Sequence, residues 1–378
     1  MTTERSIPHS SLPLPALPAG LTPGWVAQAL LGSNALRFNR AAGEPRVVSI
    51  TASPVGEGVG MMSELARLHL TWSDPHFGLP DTVIAKYAST NATNRAAANQ
   101  FHVYEREVRY FLELDERTRA RTPRIHFGRI EPDNFLILME DLGAYRIGSQ
   151  AIGAGLADAE CAIDELARLH AAFWGRVDEL DWVPEIRGSY HADGLRQAAS
   201  AGWDNMARTF AAGLSPVIDA ARADILAAIP KLQATVNRVP QTLVHGDFRL
   251  DNLLFASDPT HDPVVILDWQ GPLRAKGIVD VAVLLGQNVH VETRRAHERA
   301  LLTRYVQGLA AEGVDYPFDA AWQDYRDALL YQWCYCATIT GALDGSNPNS
   351  FAWMSQCVAR QSAATLDHHL LAELPRFL

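Results

Sequence analysis

Apolar positions repeat every second residue in the first part of the chain and at helical spacing in most of the rest. Arg46 to Ala52 holds Val47, Val48, Ile50 and Thr51, a β-rich run that Pro54, Gly56, Gly58 and Gly60 break. From Leu65 to Trp72, Leu65, Arg67, His69 and Thr71 alternate with Ala66, Leu68, Leu70 and Trp72, which is the period of a strand. Thr82 to Tyr87 reads as a short third strand and contains Lys86. Phe101, Tyr104, Val108, Phe111 and Leu112 then recur as one helix face. The unbroken run Phe135 to Met139 reads as a buried strand that stops at Glu140, Asp141, Leu142 and Gly143.

Beyond Gly143 helices dominate. Asp158 is placed to cap a helix whose apolar face is Ile163, Leu166, Leu169, His170, Phe173 and Trp174. Ser215-Pro216 opens another, with Ile218, Ile225, Ile229 and Leu232 following. Leu243 to Phe255 and Val264 to Trp269 read as two short strands around polar loops, and the chain from about Val279 onward reads as helical. No internal repeat occurs. The organisation expected is an extended, proline-bearing arm over residues 1–20, a sheet-containing N-lobe over 21–142 and a helical C-lobe over 143–378, an α+β class.

Composition narrows the class without naming the chemistry. Of 378 residues, 48% are hydrophobic and 20% charged, as in ordinary globular proteins. The net charge of −10, with no block of Lys or Arg, disfavours nucleic acid and anionic membrane as partners. No apolar run approaches the ~18 residues of a membrane helix, and Met1 to Gly20 lacks a signal-peptide pattern. The four cysteines, Cys161, Cys334, Cys336 and Cys357, form no C-x-x-C and have no histidines at zinc spacing, which fits a cytoplasmic protein with reduced thiols.

One segment carries chemistry. His245-Gly246-Asp247-Phe-Arg-Leu-Asp251-Asn252 is a polar loop between apolar runs, and Val264-Val-Ile-Leu-Asp268 delivers a second carboxylate at the end of a buried strand. Phosphoryl transfer needs a positioned acceptor oxygen, a carboxylate to take its proton, and metal to hold charged phosphates. An Asp followed by an Asn on one loop supplies the base, Asp247, and one metal ligand, Asn252; the hard oxygen of Asp268 suits Mg²⁺. Two solvated loops that happen to hold acids are the plainer alternative, and the combined H-G-D-x-x-x-x-N and strand-Asp pattern is more specific than that.

These residues resemble the aminoglycoside-phosphotransferase and choline-kinase-like superfamily, nearest to its bacterial ecdysteroid-kinase-like (CHK-like) branch. Tyr104-Glu-Arg-Glu-Val-Arg109, Leu138-Met-Glu-Asp-Leu-Gly143, Leu166-Ala-Arg-Leu-His-Ala-Ala-Phe-Trp174, Asp268-Trp-Gln270 and Gly277-x-x-Asp280-x-Ala282 complete the likeness, over roughly residues 45–370. The resemblance implies a protein-kinase-like two-lobe fold, with a small antiparallel-sheet N-lobe and a larger, mainly helical C-lobe. It implies ATP and Mg²⁺ as cofactors, Asp247 as catalytic base, Asn252 and Asp268 as metal ligands, and Asp280 as a brace for the catalytic loop. Lys86, following the glycine turn, would hold the α- and β-phosphates; its alternative is a surface lysine at a strand end. Glu107 stands at the family position of its acidic partner, with Glu105 as a rival. Gly56, Gly58 and Gly60 give backbone freedom for phosphate contacts, although a glycine hairpin without a ligand is common and the spacing departs from G-x-G-x-x-G. The backbone of Glu140 and Leu142 would meet adenine. His170 and His245 read as packed or supporting histidines, and His368 and His369 as a solvated pair near the C-terminus.

The expected reaction is transfer of the γ-phosphate of ATP to a hydroxyl of a small molecule. The acceptor would lie against Tyr145 to Trp203 and the C-terminal helices, where Trp322, Tyr325, Tyr331, Trp333, Tyr335 and Trp353 cluster as core or pocket wall. A bulky, largely apolar alcohol suits that composition. The alternatives are an aminoglycoside or a choline-type acceptor, the latter needing an aromatic cage with acids such as Asp324 and Asp327, or a catalytically silent nucleotide-binding protein of the same fold. Asp268-Trp-Gln in place of D-F-G and the absence of A-P-E argue against a protein-kinase activation segment. The sequence assigns no oligomeric state.

Overall fold

The stretches of alternating apolar residues pair as antiparallel strands. The computed structural model describes residues 12–15, 20–33, 36–39, 43–56, 62–132, 134–342 and 347–378. Strands β1 (Val47–Pro54), β2 (Ser63–Trp72), β3 (Thr82–Ala88), β4 (Ile125–Glu131) and β5 (Asn134–Glu140) form one sheet in the order β1-β2-β3-β5-β4, antiparallel throughout. The register decides which side chains share a face. Leu65 lies opposite Lys86, Arg67 opposite Ile84, and Lys86 opposite Ile137, so these point one way; Leu68, Val83, Ala85 and Leu138 point the other. The second face is the apolar one. It shares a core with Trp72, Phe77, Phe127 and with Val26, Ala29 and Leu30 of helix α1 (Pro23–Leu31).

Helix α1 lies in a stretch for which the hydrophobic pattern predicts nothing. Its start is marked locally: Thr22 caps it, accepting the amide of Trp25 at 3.3 Å, and Pro23 takes the first turn. Much of the expected arm over residues 1–20 lies outside the described residues; within it Leu12 and Leu14 pack on the small core. The helix expected around Phe101 to Leu112 is interrupted. Helices α2 (Ala92–Gln100) and α3 (Val103–Arg109) are separated at His102, whose φ of 52° is left-handed, and a π turn over Tyr110–Leu114 follows.

The chain divides into two compact units, one of Met1–Arg117 with Thr122–Gly143 and one of Thr118–Arg121 with Ala144–Leu378. In the second, β6 (Arg146–Ile147) is followed by α4 (Leu156–Phe173), α5 (Tyr190–Thr209), α6 (Pro216–Ala220) and α7 (Arg222–Val236). Gly155 takes the N-cap position of α4, so Asp158 lies inside the first turn and pairs with Arg146 at 2.8 Å instead of capping. Ser215-Pro216 does open a helix, but the turn ends at Ala221 and α7 continues the apolar face with Ile225, Ile229 and Leu232. Leu243 to Phe255 is two strands rather than one. β7 (Thr242–Val244) and β8 (Leu253–Phe255) join different sheets: β8 pairs with β6 and with β9 (Val264–Ile266), and β7 with β10 (Leu273–Ala275). Helices α8 (Ile278–Val283), α9 (Val291–Ala311), α10 (Phe318–Ala342) and α11 (Pro348–Asp367) complete the lobe. Helices α5 and α10 cross at Gly202 and Gly341, where a Cβ on either would overlap the other backbone. His368 is buried, 2.8 Å from Glu298, and not solvated as expected; the turn after α11 folds it back onto α9, and only His369 is exposed.

Candidate functional site

The loop from His245 to Asn252 leaves β7 and enters β8, so two short paired strands fix its ends. Its entry is pinned by one carboxylate. Asp280, on α8 and fully buried, accepts the amide of His245 at 2.7 Å through Oδ2 and that of Gly246 at 3.0 Å through Oδ1. His170 Nε2 lies 3.2 Å from the same Oδ2, and its Nδ1 2.8 Å from the Tyr305 hydroxyl. His245 is buried as well. Its Nδ1 accepts the amide of Asp247 at 3.3 Å, which puts the proton on Nε2, and Nε2 donates to the Leu267 carbonyl at 2.9 Å. Both histidines are thus hydrogen-bonded core groups that tie the loop to its surroundings.

Gly246 has φ of 80°, and a Cβ there would overlap the carbonyl oxygen of Gly271. Only glycine serves, and the tight turn brings Asp247 out half-exposed at 39%. Asn252 reaches back across the loop: its Nδ2 donates to the backbone oxygen of Asp247 at 2.9 Å and to its Oδ2 at 3.0 Å. That orientation turns the amide oxygen of Asn252 away from Asp247. Asp268 follows β9 with φ of 61°, a conformation short polar side chains tolerate. The Leu267 amide, next to it, donates to the Asn252 carbonyl at 2.8 Å. The structure therefore brings Asp247, Asn252 and Leu267, the residue before Asp268, into one hydrogen-bonded construction.

Among the described residues, no group of three or more His, Cys, Asp or Glu side chains is arranged to hold a metal ion. The residues expected to hold one, Asn252 on the loop and Asp268 after β9, offer one amide oxygen and one carboxylate. This donor set fits Mg²⁺, which keeps several waters and commonly binds through one or two protein oxygens and the substrate's phosphates.

Arg249 was not singled out by the sequence, and neither was its contact with Trp353. Its guanidinium lies 4.9 Å over the Trp353 ring, with Nε 3.4 Å from Asp247 Oδ2 and Nη1 3.7 Å from Asp251 Oδ2. Burial alone would lower its pKa, but the carboxylates of Asp247, Asp251 and Asp268 outweigh this and raise it, so the charge is permanent. The signal available was its place in the motif, two residues past Asp247.

In the small lobe, Lys86 and Glu107 form a buried ion pair, Nζ to Oε1 at 2.7 Å. Glu105 is exposed and lies 3.6 Å from His102 and from Arg109, so Lys86 pairs with Glu107 and not its rival. Gly56 has φ of 68°; Gly58 and Gly60 lie outside the described residues. The amide of Glu140 donates to the Arg124 carbonyl at 2.8 Å, which narrows the expected adenine contact at this residue to its carbonyl. Leu142 follows in a turn that Asp141 holds: Asp141 accepts Arg67 at 2.6 and 3.2 Å and the Gly143 amide at 3.1 Å. Burial would raise the Asp141 carboxyl, but the bonds from Arg67 outweigh it and hold it below the usual range.

Of the aromatic cluster, Tyr325, Tyr331 and Trp333 are fully buried and belong to the core. Trp322 lies against Phe318 and His368. Trp353 reaches the loop between β7 and β8, through Arg249. Asp324 is bound to Lys276 at 2.6 Å and to the Tyr316 hydroxyl at 2.7 Å, and Asp327 to Arg376 at 3.1 Å. The acids that a choline cage would have required are committed elsewhere.

A small antiparallel sheet, a larger helical lobe and the loop joining β7 to β8 place the chain among the protein-kinase-like folds used by small-molecule kinases. The sequence matches the ecdysteroid kinase-like family over residues 57–313, and the chain belongs to that family. No curated protein matches the sequence. Among solved structures it is similar to the microcompartment-associated aminopropanol kinase, with TM-score 0.53 and 14% identity over 87% of this chain and 95% of that one. The GDP complex of an aminoglycoside 2'-phosphotransferase-IIIa mutant gives TM-score 0.51 and 14% identity over 85% and 94%. Choline kinase from Cryptosporidium parvum Iowa II gives 0.50 and 10% over 86% and 89%. At such identities the likeness is one of fold.

Proposed function

We propose that this protein is an ATP-dependent phosphotransferase that moves the γ-phosphoryl group to a hydroxyl of a small molecule, with a bulky, largely apolar alcohol as the acceptor class. The observation that carries the reading is the loop geometry: a half-exposed Asp247 carboxylate oriented by Asn252 on a backbone that Asp280 pins. Membership of the ecdysteroid kinase-like family supports it. Asp247 takes the acceptor's proton as the acceptor oxygen bonds to phosphorus; the bond from phosphorus to the β-phosphate oxygen breaks, and its electron pair leaves with ADP. Asn252 and Asp268 would hold Mg²⁺, which when bound neutralises charge on the phosphates. Lys86, oriented by Glu107, would hold the α- and β-phosphates, with the turn at Gly56, Gly58 and Gly60 over them. The Glu140 carbonyl and Leu142 amide would meet adenine. A cytoplasmic setting suits the four free cysteines, of which Cys357 donates to Cys336 at 3.9 Å with no disulfide between them.

The test is an ATP-consumption screen over hydroxylated compounds, uncharged alcohols beside aminoglycosides and choline, with products weighed by mass spectrometry. A product heavier by one phosphoryl group from an uncharged alcohol is the expected result. MgATP-dependent thermal stabilisation without turnover of any acceptor would favour a silent nucleotide-binding role, and turnover of the cationic compounds alone would overturn the acceptor class.

A further inference from the structure

We propose that Arg249 is a further catalytic residue, one whose guanidinium contacts the phosphoryl group as it passes from nucleotide to acceptor. The proposal rests on the phosphotransfer reading of the same loop. Arg249 is largely buried, with 15% of its side chain exposed, yet its bonding is incomplete. Its distances of 3.4 Å to Asp247 and 3.7 Å to Asp251 are longer than the ~2.7–2.9 Å of a charge-assisted hydrogen bond. Nη1 is buried and has no hydrogen-bond partner among the described residues. A guanidinium carries five donors, and burying one unmet is unfavourable. The guanidinium carbon lies over the Trp353 ring, 4.9 Å from its centre, an aromatic neighbour that limits how the group can turn.

A purely positioning role is the plainer explanation, and the surrounding bonds argue against it. Asp247 is already oriented by Asn252, at 3.0 Å. Asp251 is already held by the Gln150 amide, at 3.1 Å. Neither carboxylate needs Arg249 to fix its place. What Arg249 adds is a permanent positive charge, 3.4 Å from Asp247 and 3.7 Å from Asp251, with a donor unused. An anion with planar oxygens is what such a group binds. In phosphoryl transfer the charge spreads over three equatorial oxygens midway, and a preorganised cation there lowers the barrier. Arg249 donates hydrogen bonds and transfers no proton; the acceptor's proton still goes to Asp247, and the electron pair of the broken bond still leaves on the nucleoside diphosphate.

The test is calorimetric titration of the full-length wild type, Arg249→Met and Arg249→Lys with MgADP alone and with MgADP plus aluminium fluoride, a mimic of the phosphoryl group in flight. In the wild type, fluoride should tighten binding by about 10²-fold or more. Arg249→Met should bind MgADP like the wild type, melt at the same temperature, and lose at least about tenfold of the fluoride gain. Arg249→Lys, which keeps the charge without the planar fork, should recover part of it. An unchanged fluoride gain in Arg249→Met overturns the role of the arginine and leaves the phosphotransfer reading standing. A parallel fall in MgADP affinity and melting temperature shows a structural role and also overturns it. Failure of the wild type to bind MgADP overturns both.

Discussion

Replacing Lys86 by Met separates what that side chain does for folding from what it does for nucleotide. Lys86 and Glu107 are both buried and 2.7 Å apart, so removing the cation takes from a buried carboxylate on α3 the ammonium that balances its charge. Breaking a buried pair in this way costs about 3–5 kcal/mol. A second route gives a similar figure: protonating a carboxyl of ordinary pKa near 4.3 at pH 7 takes about 3.7 kcal/mol. At roughly 2–4 °C per kcal/mol, the melting temperature should drop by about 6–20 °C at pH 7. The deficit should shrink towards pH 5, because the stranded carboxyl then takes its proton more easily. The double variant Lys86→Met/Glu107→Met removes the stranded charge and should regain most of the lost stability, since an apolar pair can replace a buried ion pair at little cost. Neither variant should be stabilised by MgATP. Scanning fluorimetry of the three proteins at both pH values, with and without MgATP, reads every arm. A double variant as unstable as the single one would refute the stranded-charge account, and a normal MgATP shift in either would refute the phosphate role of Lys86.

The remaining predictions concern other parts of the molecule. Asp247→Asn should lower kcat by about 10²–10⁴-fold with little change in melting temperature, read by ADP release and fluorimetry. Gly246→Ala should destabilise the large lobe and abolish turnover, because the added methyl meets the Gly271 carbonyl and the turn needs φ of 80°; circular dichroism melts check it. His126 is 5% exposed and burial pushes it down to about 4, so the unfolded chain binds a proton the folded one does not. Stability should therefore rise with pH between about 4 and 6.5, by about 1.4 kcal/mol per unit, and be complete above 6.5. His126→Phe should flatten that slope in pH-dependent denaturant titrations, and an unaltered slope would reassign it to other groups.

Strands were legible wherever one face is core and the other is not. β2 shows its alternation openly because Ala66, Leu68 and Leu70 face α1 while Arg67 and His69 do not. The β5 run Phe135 to Met139 was legible for the opposite reason, being buried on both faces. β4 was missed: its Gly128 and Arg129 interrupt the apolar run, and partnership with β5 supplies the order. Helix α1 was missed because its pattern is short, although Thr22-Pro23 announced it. The loop around Asp247 could be located from its motif, since the spacing of His245, Asp247 and Asn252 is local. Arg249 and Trp353 could not be joined that way, because their contact depends on how α11 lies against the loop. His368 and Asp324 show the same limit from the other side, since tertiary partners, not local sequence, decide that they are engaged.

The way the loop is held bears on how such a protein can change over generations. Asp280 fixes its entry, and Asn288 fixes its middle by accepting the Leu250 amide at 3.0 Å. Phe248 and Leu250 are buried and serve the core. The half-buried positions, Arg249 and Asp251, carry little of the loop's own shape. Substitutions at those two sites can therefore be sampled without loss of the backbone that presents Asp247. In the proposed reaction, selection can therefore alter the charge beside Asp247, and with it the rate, while the backbone beneath stays in place, so a lineage can vary by small steps, each folding as well as the last.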